Sequence, residues 1–270
     1  MQLMNKTIVV TGGGSGIGRA LVLKLVSMGA RAAAVDLNQT TLAETVDLAG
    51  GHRDRISTHV VNVGDKTAVE ALPEAGIEAR GAVDGLINNA GIIQPFVRLN
   101  DLQYDAIERV LKVNLYGVIY MTKAFLPYLL LRPSAHIVNV SSMGGFFPVP
   151  GQTLYGASKA AVKLLTEGLY SELTDTHVRV TVVFPGAIAT NISANSGVAA
   201  PAGAASAEAA RSFPTTSAER AAEVIIEGIE QDKFQVYIGR DSNMMNILYR
   251  LSPKRATRFM YNQMKSLLGG

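Results

Sequence analysis

The chain contains no cysteine. Disulfide bonds, thiolate nucleophiles and zinc sites built from cysteine are therefore excluded, and no other pattern in the sequence predicts a metal site. The first apolar segment begins at Thr7, which leaves no room ahead of it for a secretory signal peptide. For a chain without cysteine and without such a leader, we expect a cytoplasmic location.

Charge is sparse as well: charged residues make up 17% of the chain, and the net charge is +3. Because no long run of Lys or Arg occurs before the C-terminus, nucleic acid is not expected as a partner. The longest apolar region, 118–131, is interrupted by Lys123 and Pro127 and is too short to cross a bilayer. Hydrophobic residues nevertheless make up 48%, so a well-buried core is expected.

The chain does contain a regular alternation of strand and helix patterns. The strand patterns are apolar almost throughout, as in a parallel sheet that is covered on both faces. We therefore predict a doubly wound parallel α/β sheet, a Rossmann fold, of about seven strands with helices on both faces, in a single domain over residues 1–270. The predicted strands are Thr7–Val10, Ala32–Val35, Ser57–Val61, Gly85–Ile87, His136–Val140, Arg179–Val183 and Gln235–Ile238, and the predicted helices lie near 18–28, 39–49, 66–80, 101–131, 154–175 and 217–231.

A glycine-rich turn, Thr11–Gly18, follows the first predicted strand and opens a helix. Glycine lets the backbone come close to a ligand, and the N-terminus of the helix directs free N–H groups and a positive dipole end at the turn. This context predicts a site for the pyrophosphate of a dinucleotide, although a tight turn without a ligand is the alternative. The predicted contacts are Gly12, Ser15, Gly16, Ile17 and Gly18.

Polar residues end the second and third predicted strands. Asp36 can accept hydrogen bonds from both hydroxyls of an adenosine ribose and would repel a 2′-phosphate, and the next residue, Leu37, offers no cation to pair with that phosphate. We therefore expect NAD in preference to NADP, with the cap of the following helix as the alternative role for Asp36. Asn62, which precedes Val63, is predicted to bind the adenine amino group or else to shape a turn.

Three further segments place polar groups at the same edge of the sheet. The fourth strand runs into a turn of small and polar residues, Asn89, Ala90 and Gly91, which predicts backbone that passes close to the cofactor. Asn114 is a poor residue for a helix interior and lies among apolar neighbours, which indicates a functional position. The predicted cofactor contacts after the sixth strand are Pro185, Gly186, Ile188 and Thr190. The Ala-, Ser- and Gly-rich segment that follows, about 191–215, is predicted to be a substrate lid or an ordinary surface loop.

The fifth strand leads to Ser141 and Ser142, and a helix then opens with Tyr155 and Lys159. Residues four apart project from the same helical face, so the Tyr and Lys side chains lie together. Beside a serine hydroxyl at the mouth of a nucleotide cleft, this pair is a plausible acid/base unit, although serines also commonly start loops.

These motifs together resemble the short-chain dehydrogenase/reductase family in its single-domain form. The resemblance rests on T-G-x-x-x-G-x-G at 11–18, Asp36, N-N-A-G at 88–91, Y-x-x-x-K at 155–159 and P-G with a following Thr, and it covers residues of about 5–240. It implies a catalytic tetrad at Asn114, Ser142, Tyr155 and Lys159, and a contact between Thr190 and the nicotinamide carboxamide. Asn62 departs from the Asp that many members have there.

The resemblance also implies the reaction and the assembly. A secondary alcohol or ketone of partly hydrophobic character is the expected substrate, and a homodimer or homotetramer is expected to form through the helices at 101–131 and 154–175. Within the enzyme class the alternative is an NADP-dependent carbonyl reductase. Outside the enzyme class, the alternative is a dinucleotide-binding regulator that catalyses no reaction. The complete tetrad argues against this alternative, because a regulator does not need all four groups.

The chain ends in a basic amphipathic segment, expected as a helical extension over about 244–270. Ser252 and Pro253 indicate a helix start, with Ser as the cap and Pro in the first helical position. We expect this helix to pack on a neighbouring subunit or over the lid. Contact with an anionic membrane surface is the less favoured alternative, and a frayed tail is the third.

Overall fold

The structure, a computed structural model, describes residues 1–198 and 215–265. Its strands are β1 (Thr7–Thr11), β2 (Arg31–Asp36), β3 (Ile56–Val60), β4 (Gly85–Asn88), β5 (Ala135–Val140), β6 (Val178–Pro185), β7 (Ile188–Ala189), β8 (Thr216–Ser217) and β9 (Gln235–Ile238). Seven of them form one parallel sheet in the order β3-β2-β1-β4-β5-β6-β9, while β7 and β8 form a small parallel pair. The predicted fold class is confirmed, and every predicted strand is present with its ends shifted by at most two residues.

The helices cover both faces of the sheet. They are α1 (Gly16–Ser27), α2 (Gln39–Leu48), α3 (Lys66–Glu70), α4 (Leu72–Arg80), α5 (Tyr104–Leu111), α6 (Gly117–Leu130), α7 (Thr153–Glu172), α8 (Ile192–Asn195), α9 (Ala218–Glu230), α10 (Arg240–Leu251) and α11 (Pro253–Met264). Helices α1, α2 and α9 bury apolar residues against one face of the sheet, and α4, α6 and α7 against the other. Strands β1 and β5 are buried along their whole length, as a sheet covered on both faces requires.

The order of the strands reverses at β1, whose neighbours are β2 on one side and β4 on the other. In doubly wound sheets, ligands bind at such a reversal, beyond the carboxyl ends of the strands. The glycine turn follows β1, and the Asn89–Gly91 turn follows β4. Both predicted cofactor segments therefore lie at the reversal.

Two predicted helices are interrupted. The helix expected over 101–131 consists of α5, a π-helical segment at Lys112–Tyr116, and α6. The helix expected over 66–80 is divided into α3 and α4, and Pro73 lies in the first turn of α4. Proline lacks a backbone N–H and fits the first turn of a helix far better than its interior. The division between α3 and α4 therefore coincides with a single proline, which the apolar periodicity does not reveal.

The C-terminal extension contains two helices where the sequence indicated one. Pro253 occupies the first turn of α11 as expected, but the Ser252 side chain makes no capping hydrogen bond. Met245 of α10 and Met260 of α11 are buried together against Phe147, in a small core beside the sheet. Residues 266–270 of the predicted extension lie outside the described part of the chain. In the described part, no helix has the length and apolar character needed to span a membrane.

At the opposite end of the sheet, a buried histidine makes the stability depend on pH. The Thr181 hydroxyl donates to Lys233 O (2.6 Å), so its oxygen accepts from His136 Nε2–H (2.8 Å), and His136 Nδ1 is buried without a partner. Burial, aided by the charges of the N-terminus and Arg179, lowers the His136 pKa from 6.5 to about 3. The unfolded chain therefore binds one more proton between these values, and stability is lost as the pH falls from 6.5 towards 3.

The substitution His136→Gln should remove the contribution of His136 to the pH dependence of stability. The glutamine amide still offers an N–H to the Thr181 hydroxyl. We expect the slope of the unfolding free energy against pH to fall by up to about 1.4 kcal/mol per pH unit in that window. Denaturant unfolding of both proteins across the acid range measures it. Parallel curves for the two proteins would show that His136 does not contribute.

Candidate active site

The turn after β1 has a shape that only glycine allows at several positions. Gly12 and Gly16 have positive φ angles of 71° and 51°, in the left-handed region that suits glycine. A Cβ on Gly18 would collide with the Gly12 carbonyl oxygen, and a Cβ on Gly16 would lie 3.2 Å from Thr190 Cγ2. The turn is therefore compact, and the segment that follows β6 lies directly against it.

Asp36 is fixed at the edge of this turn. Its Oδ2 accepts from Gly14 N and its Oδ1 from Asn38 N, each at 3.0 Å. The cap of α2 is Asn38, whose Oδ1 accepts from Thr41 N, so the capping alternative for Asp36 is not realised. Leu37 is 66% exposed beside this carboxylate.

Arg19 holds the same turn, and the sequence reasoning missed it. Its guanidinium donates to Gly14 O (2.9 Å), to Thr45 Oγ1 (3.1 Å) and to the Glu44 carboxylate (2.6 Å). It thereby ties the turn to α2, and Glu44 balances its charge. The only cue in the sequence was its place directly after Gly18.

Asn62 and Val63 both make contacts within the protein itself. Asn62 is exposed, and its Oδ1 accepts from Gly64 N at 2.9 Å, which is the turn role that the sequence left open. Val63 is buried in the core on the side of α6. The adenine contact of Asn62 stays a prediction.

The turn after β4 is tied to the turn after β1. Thr11 Oγ1 accepts from Asn89 N and Ala90 N, both at 3.0 Å, and Asn89 Nδ2 donates to Thr11 O at 2.9 Å. The Asn89 side chain thus serves to hold two loops together, and Gly91 follows at the same edge of the sheet.

Asn114 is fully buried within the π-helical segment. Its Oδ1 accepts from Ile92 N (2.9 Å), and its Nδ2 donates to Ile92 O (2.9 Å) and Ser158 Oγ (3.1 Å). Single turns of π-helix are frequent at functional sites. A Cβ on Gly91 would lie 3.2 Å from Lys159 Nζ and 3.4 Å from Asn114 Oδ1, so these three residues meet at one point.

The two serines after β5 have different surroundings. Ser141 is buried, and its hydroxyl donates to Lys159 O at 2.7 Å. The Ser142 side chain accepts from Gly144 N at 3.0 Å. It lies beside the Tyr155 ring, because a Cβ on Gly144 would be 3.4 Å from Tyr155 Cε1 and 3.5 Å from Ser142 Oγ. Of the two hydroxyls, only that of Ser142 adjoins the tyrosine.

Lys159 is 4% exposed, and its Nζ donates to Val140 O at 2.8 Å. Burial lowers the pKa of Lys159 to about 8. Burial also raises the pKa of Tyr155, and the nearby Ser142 side chain offsets only part of this effect. Desolvation is therefore the larger influence on the pKa of the Tyr155 hydroxyl.

A buried glutamine, Gln94, caps the helix that carries Tyr155 and Lys159. Its Oε1 accepts from Leu154 N (2.7 Å) and Tyr155 N (3.1 Å), and its Nε2 donates to Gly151 O (3.0 Å). Gln152 Nε2 in turn donates to Gln94 O at 2.9 Å. The one cue to this role in the sequence was a polar amide between apolar residues.

The segment after β6 is anchored on α10 and on the β7–β8 pair. Gly186 N donates to Ile238 O, and Ala187 N donates to the Asp241 carboxylate at 2.7 Å. Ile188 pairs with Thr216. Pro185, which ends β6, is buried.

The start of the predicted lid also reaches the glycine turn. Asn195 Nδ2, in α8, donates to Ser15 Oγ at 2.9 Å, and Ser196 Oγ accepts from Ile93 N at 3.0 Å. Of the predicted lid at 191–215, residues 199–214 lie outside the described part of the chain.

The chemistry of these groups fits a nicotinamide dinucleotide. The glycine turn offers backbone without side chains at a helix N-terminus, which suits a pyrophosphate, and Asp36 supplies a carboxylate for a ribose. Among residues 1–198 and 215–265, no three His, Asp or Glu side chains come together as a metal site would require.

Comparison with known proteins gives a consistent result. The model of the short chain dehydrogenase family matches residues 6–200. SadH of Mycobacterium tuberculosis is 37% identical over 256 residues, which cover 91% of this chain and 90% of SadH. The 3-oxoacyl-[acyl-carrier-protein] reductase FabG of Thermotoga maritima is 38% identical over 192 residues, which cover 70% of this chain and 77% of that protein.

Solved structures agree in fold. A short chain dehydrogenase/reductase from Burkholderia phymatum in complex with NAD matches with a TM-score of 0.81 and 30% identity, over 88% of this chain and 90% of that one. A short chain dehydrogenase from Burkholderia cenocepacia in complex with NADP matches with a TM-score of 0.79 and 24% identity, over 96% and 99%. The chain belongs to the short-chain dehydrogenase/reductase family.

Proposed function

We propose that this protein is an NAD-dependent oxidoreductase that interconverts a secondary alcohol of partly hydrophobic character and its ketone. The observation that carries the proposal is the convergence of Ser142, Tyr155, Lys159 and Asn114 beside the glycine turn. Solved structures of similar proteins include one complex with NAD and one with NADP, so the choice of NAD is supported by Asp36 and Leu37 of this chain.

Tyr155 is the proposed acid and base. Because burial raises its pKa, the phenol keeps its proton at neutral pH and can donate it to a ketone oxygen. Ser142, which lies beside the Tyr155 ring, is placed to hold the same substrate oxygen. Oxidation of an alcohol needs the phenolate, so its rate should rise with pH.

Lys159 and Asn114 support the proton transfer. With a pKa of about 8, Lys159 is mostly charged at neutral pH, and a cation on the same helical face favours the phenolate when the proton leaves. Asn114 fixes the Ile92 backbone and Ser158 around this lysine. The bound dinucleotide would supply the hydride acceptor or donor. The glycine turn would hold its pyrophosphate, Asp36 its adenosine ribose, and Lys159 and Thr190 its nicotinamide end.

The segment 145–149 after β5, which we propose as one wall of the substrate pocket, is apolar in sequence and supports a partly hydrophobic substrate. Phe146 packs edge-on against Phe184 with ring centroids 5.4 Å apart. Phe147 is fully buried against Tyr249 and Met245 and therefore lies behind the wall. The wall after β5 thus rests on the C-terminal helices.

A panel of secondary alcohols tests the proposal. Each alcohol is supplied once with NAD and once with NADP, and formation of the reduced cofactor is followed by its absorbance. We expect turnover with NAD on alcohols that carry an apolar substituent. Faster turnover with NADP would favour an NADP-dependent carbonyl reductase. Dinucleotide binding without turnover on any alcohol or ketone would favour a regulator.

Gln94 should position Tyr155 for this reaction. Gln94→Met keeps the length of the side chain but leaves the N–H groups of Leu154 and Tyr155 without their acceptor. We expect kcat to fall about tenfold or more, in line with the loss of about 1–3 kcal/mol for two unpaired groups, while NAD affinity is kept. Gln94→Glu restores an acceptor oxygen and should recover part of the loss.

The matched control is Gln152→Met. This change removes a neighbouring buried amide that bonds the Gln94 backbone and not the Tyr155 backbone, so it should lower kcat less. The pH profile of kcat separates positioning from general destabilisation, since only a displaced Tyr155 shifts it. If both glutamine variants lose kcat equally and keep the profile, Gln94 is merely structural.

We also propose that the protein is cytoplasmic and forms a homodimer or homotetramer through α5, α6 and α7. Apolar side chains are open to solvent there, with Leu131, just past α6, 82% exposed and Leu164 of α7 70% exposed. Since α7 carries Tyr155 and Lys159, association on this face would brace the site.

A further inference from the structure

Helix α10 has two apolar faces, and the described residues of the chain cover only one of them. Met245 and Tyr249 face inwards and pack with Met260 and Phe147. The opposite stripe lies at positions i, i+3, i+4 and i+7, the spacing of one helical face. It consists of Met244, Ile247, Leu248 and Leu251, which are 48%, 59%, 41% and 78% exposed.

The same segment concentrates positive charge. Residues 240–265 contain six exposed cations, Arg240, Arg250, Lys254, Arg255, Arg258 and Lys265. Their one carboxylate, Asp241, is turned inwards to accept from Ala187 N at 2.7 Å. The segment therefore carries +5 in a chain whose net charge is +3, so the rest of the chain is slightly acidic.

Two aromatic side chains of α11 are exposed as well. Phe259 and Tyr261 of α11 are 43% and 50% exposed. Exposed apolar and aromatic residues among Lys and Arg are typical of helices that lie in the interface of a bilayer, and tyrosine is enriched at that depth.

We propose that residues 240–265 form a docking surface for an anionic membrane. A second copy of the chain is the less suitable occupant, because a two-fold contact places the same patch against itself and would bring the two sets of cations together. An anionic leaflet attracts each cation near its surface and accepts the apolar stripe. The paired helices supply both the charge and the apolar area that stable peripheral binding requires.

Co-sedimentation of the full-length protein with vesicles tests the proposal. We expect binding to vesicles of phosphatidylcholine with phosphatidylglycerol, little binding to pure phosphatidylcholine, and release by salt, which screens exposed charges. Lys254→Gln with Arg258→Gln should weaken binding roughly thirtyfold. Ile247→Ser with Leu251→Ser should weaken it about tenfold or more.

Matched controls change equally exposed residues elsewhere. Leu99→Ser removes a leucine that is 53% exposed, and Arg53→Gln with Lys66→Gln removes two exposed cations. These variants should bind as the unaltered protein does. Circular dichroism and light scattering on every variant check that fold and mass are unchanged.

Two results would overturn the proposal. The first is failure of the unaltered protein to sediment with the anionic vesicles, or equal losses in the control variants. The second is a smaller particle mass for Ile247→Ser with Leu251→Ser, which would make the stripe a contact between subunits. Neither readout depends on turnover, so the test stands apart from the proposed reaction.

Discussion

Tyr155→Phe should abolish useful turnover and leave NAD binding intact. The change removes the phenol that lies beside Ser142 and Lys159, and nothing else in the pocket changes shape. General acid and base catalysis contributes about 10²- to 10⁴-fold to a rate, so kcat should fall by that factor in both directions of the reaction. Initial rates and calorimetric titration with NAD measure the two quantities.

Tyr237→Phe is the matched control. It also removes one phenolic hydroxyl, and that hydroxyl donates to Gln235 Oε1 at 3.1 Å, away from the tetrad. We expect near-normal turnover from this variant. A Tyr155→Phe protein that retains normal rates would transfer the acid/base role to another group.

Cofactor choice should reverse in the double variant Asp36→Ala with Leu37→Arg. Asp36 is fixed by Gly14 N and Asn38 N, so its charge cannot turn away from an incoming 2′-phosphate. Charges about 4 Å apart interact by about 4 kcal/mol at an effective dielectric constant of 20, and solvent at this partly exposed site reduces that figure. We therefore expect the ratio of kcat/KM for NAD over NADP to change by about a hundredfold.

Asp36→Asn separates charge from shape. It keeps one acceptor oxygen for Gly14 N, but it loses the negative charge together with the oxygen that accepts from Asn38 N. It should therefore relax the preference without reversing it. Thermal unfolding shows whether the turn survives each change. An unaltered protein that uses NADP as well as NAD would show that Asp36 does not act on the ribose.

Local sequence determined the sheet and its nucleotide-binding edge. Continuous apolar strands separated by amphipathic helices leave few ways to bury both faces, and a parallel sheet is one of them. The glycines after β1 are also determined by local constraints. At Gly18 a Cβ would meet the Gly12 carbonyl, a constraint that acts over six residues and can be recognised in a short motif.

Contacts between segments that are far apart in the sequence determined the roles of the individual site residues. Ser141 and Ser142 are chemically alike, and their different roles depend on which hydroxyl meets Tyr155 and which meets the Lys159 carbonyl. Gln94 caps a helix that begins about sixty residues later. The raised Tyr155 pKa follows from burial, which no motif records.

The C-terminal helices show the same division between what the local sequence determines and what the tertiary structure determines. The sequence by itself determined that this segment is basic, amphipathic and helical, because charge and helical spacing are local properties. Only the tertiary structure decided that Met245 and Met260 face the core behind Phe147 while Ile247 and Leu251 stay in solvent. Which side of a helix with two apolar faces is covered depends on the surface against which it packs, and that surface is built from residues far away in the chain.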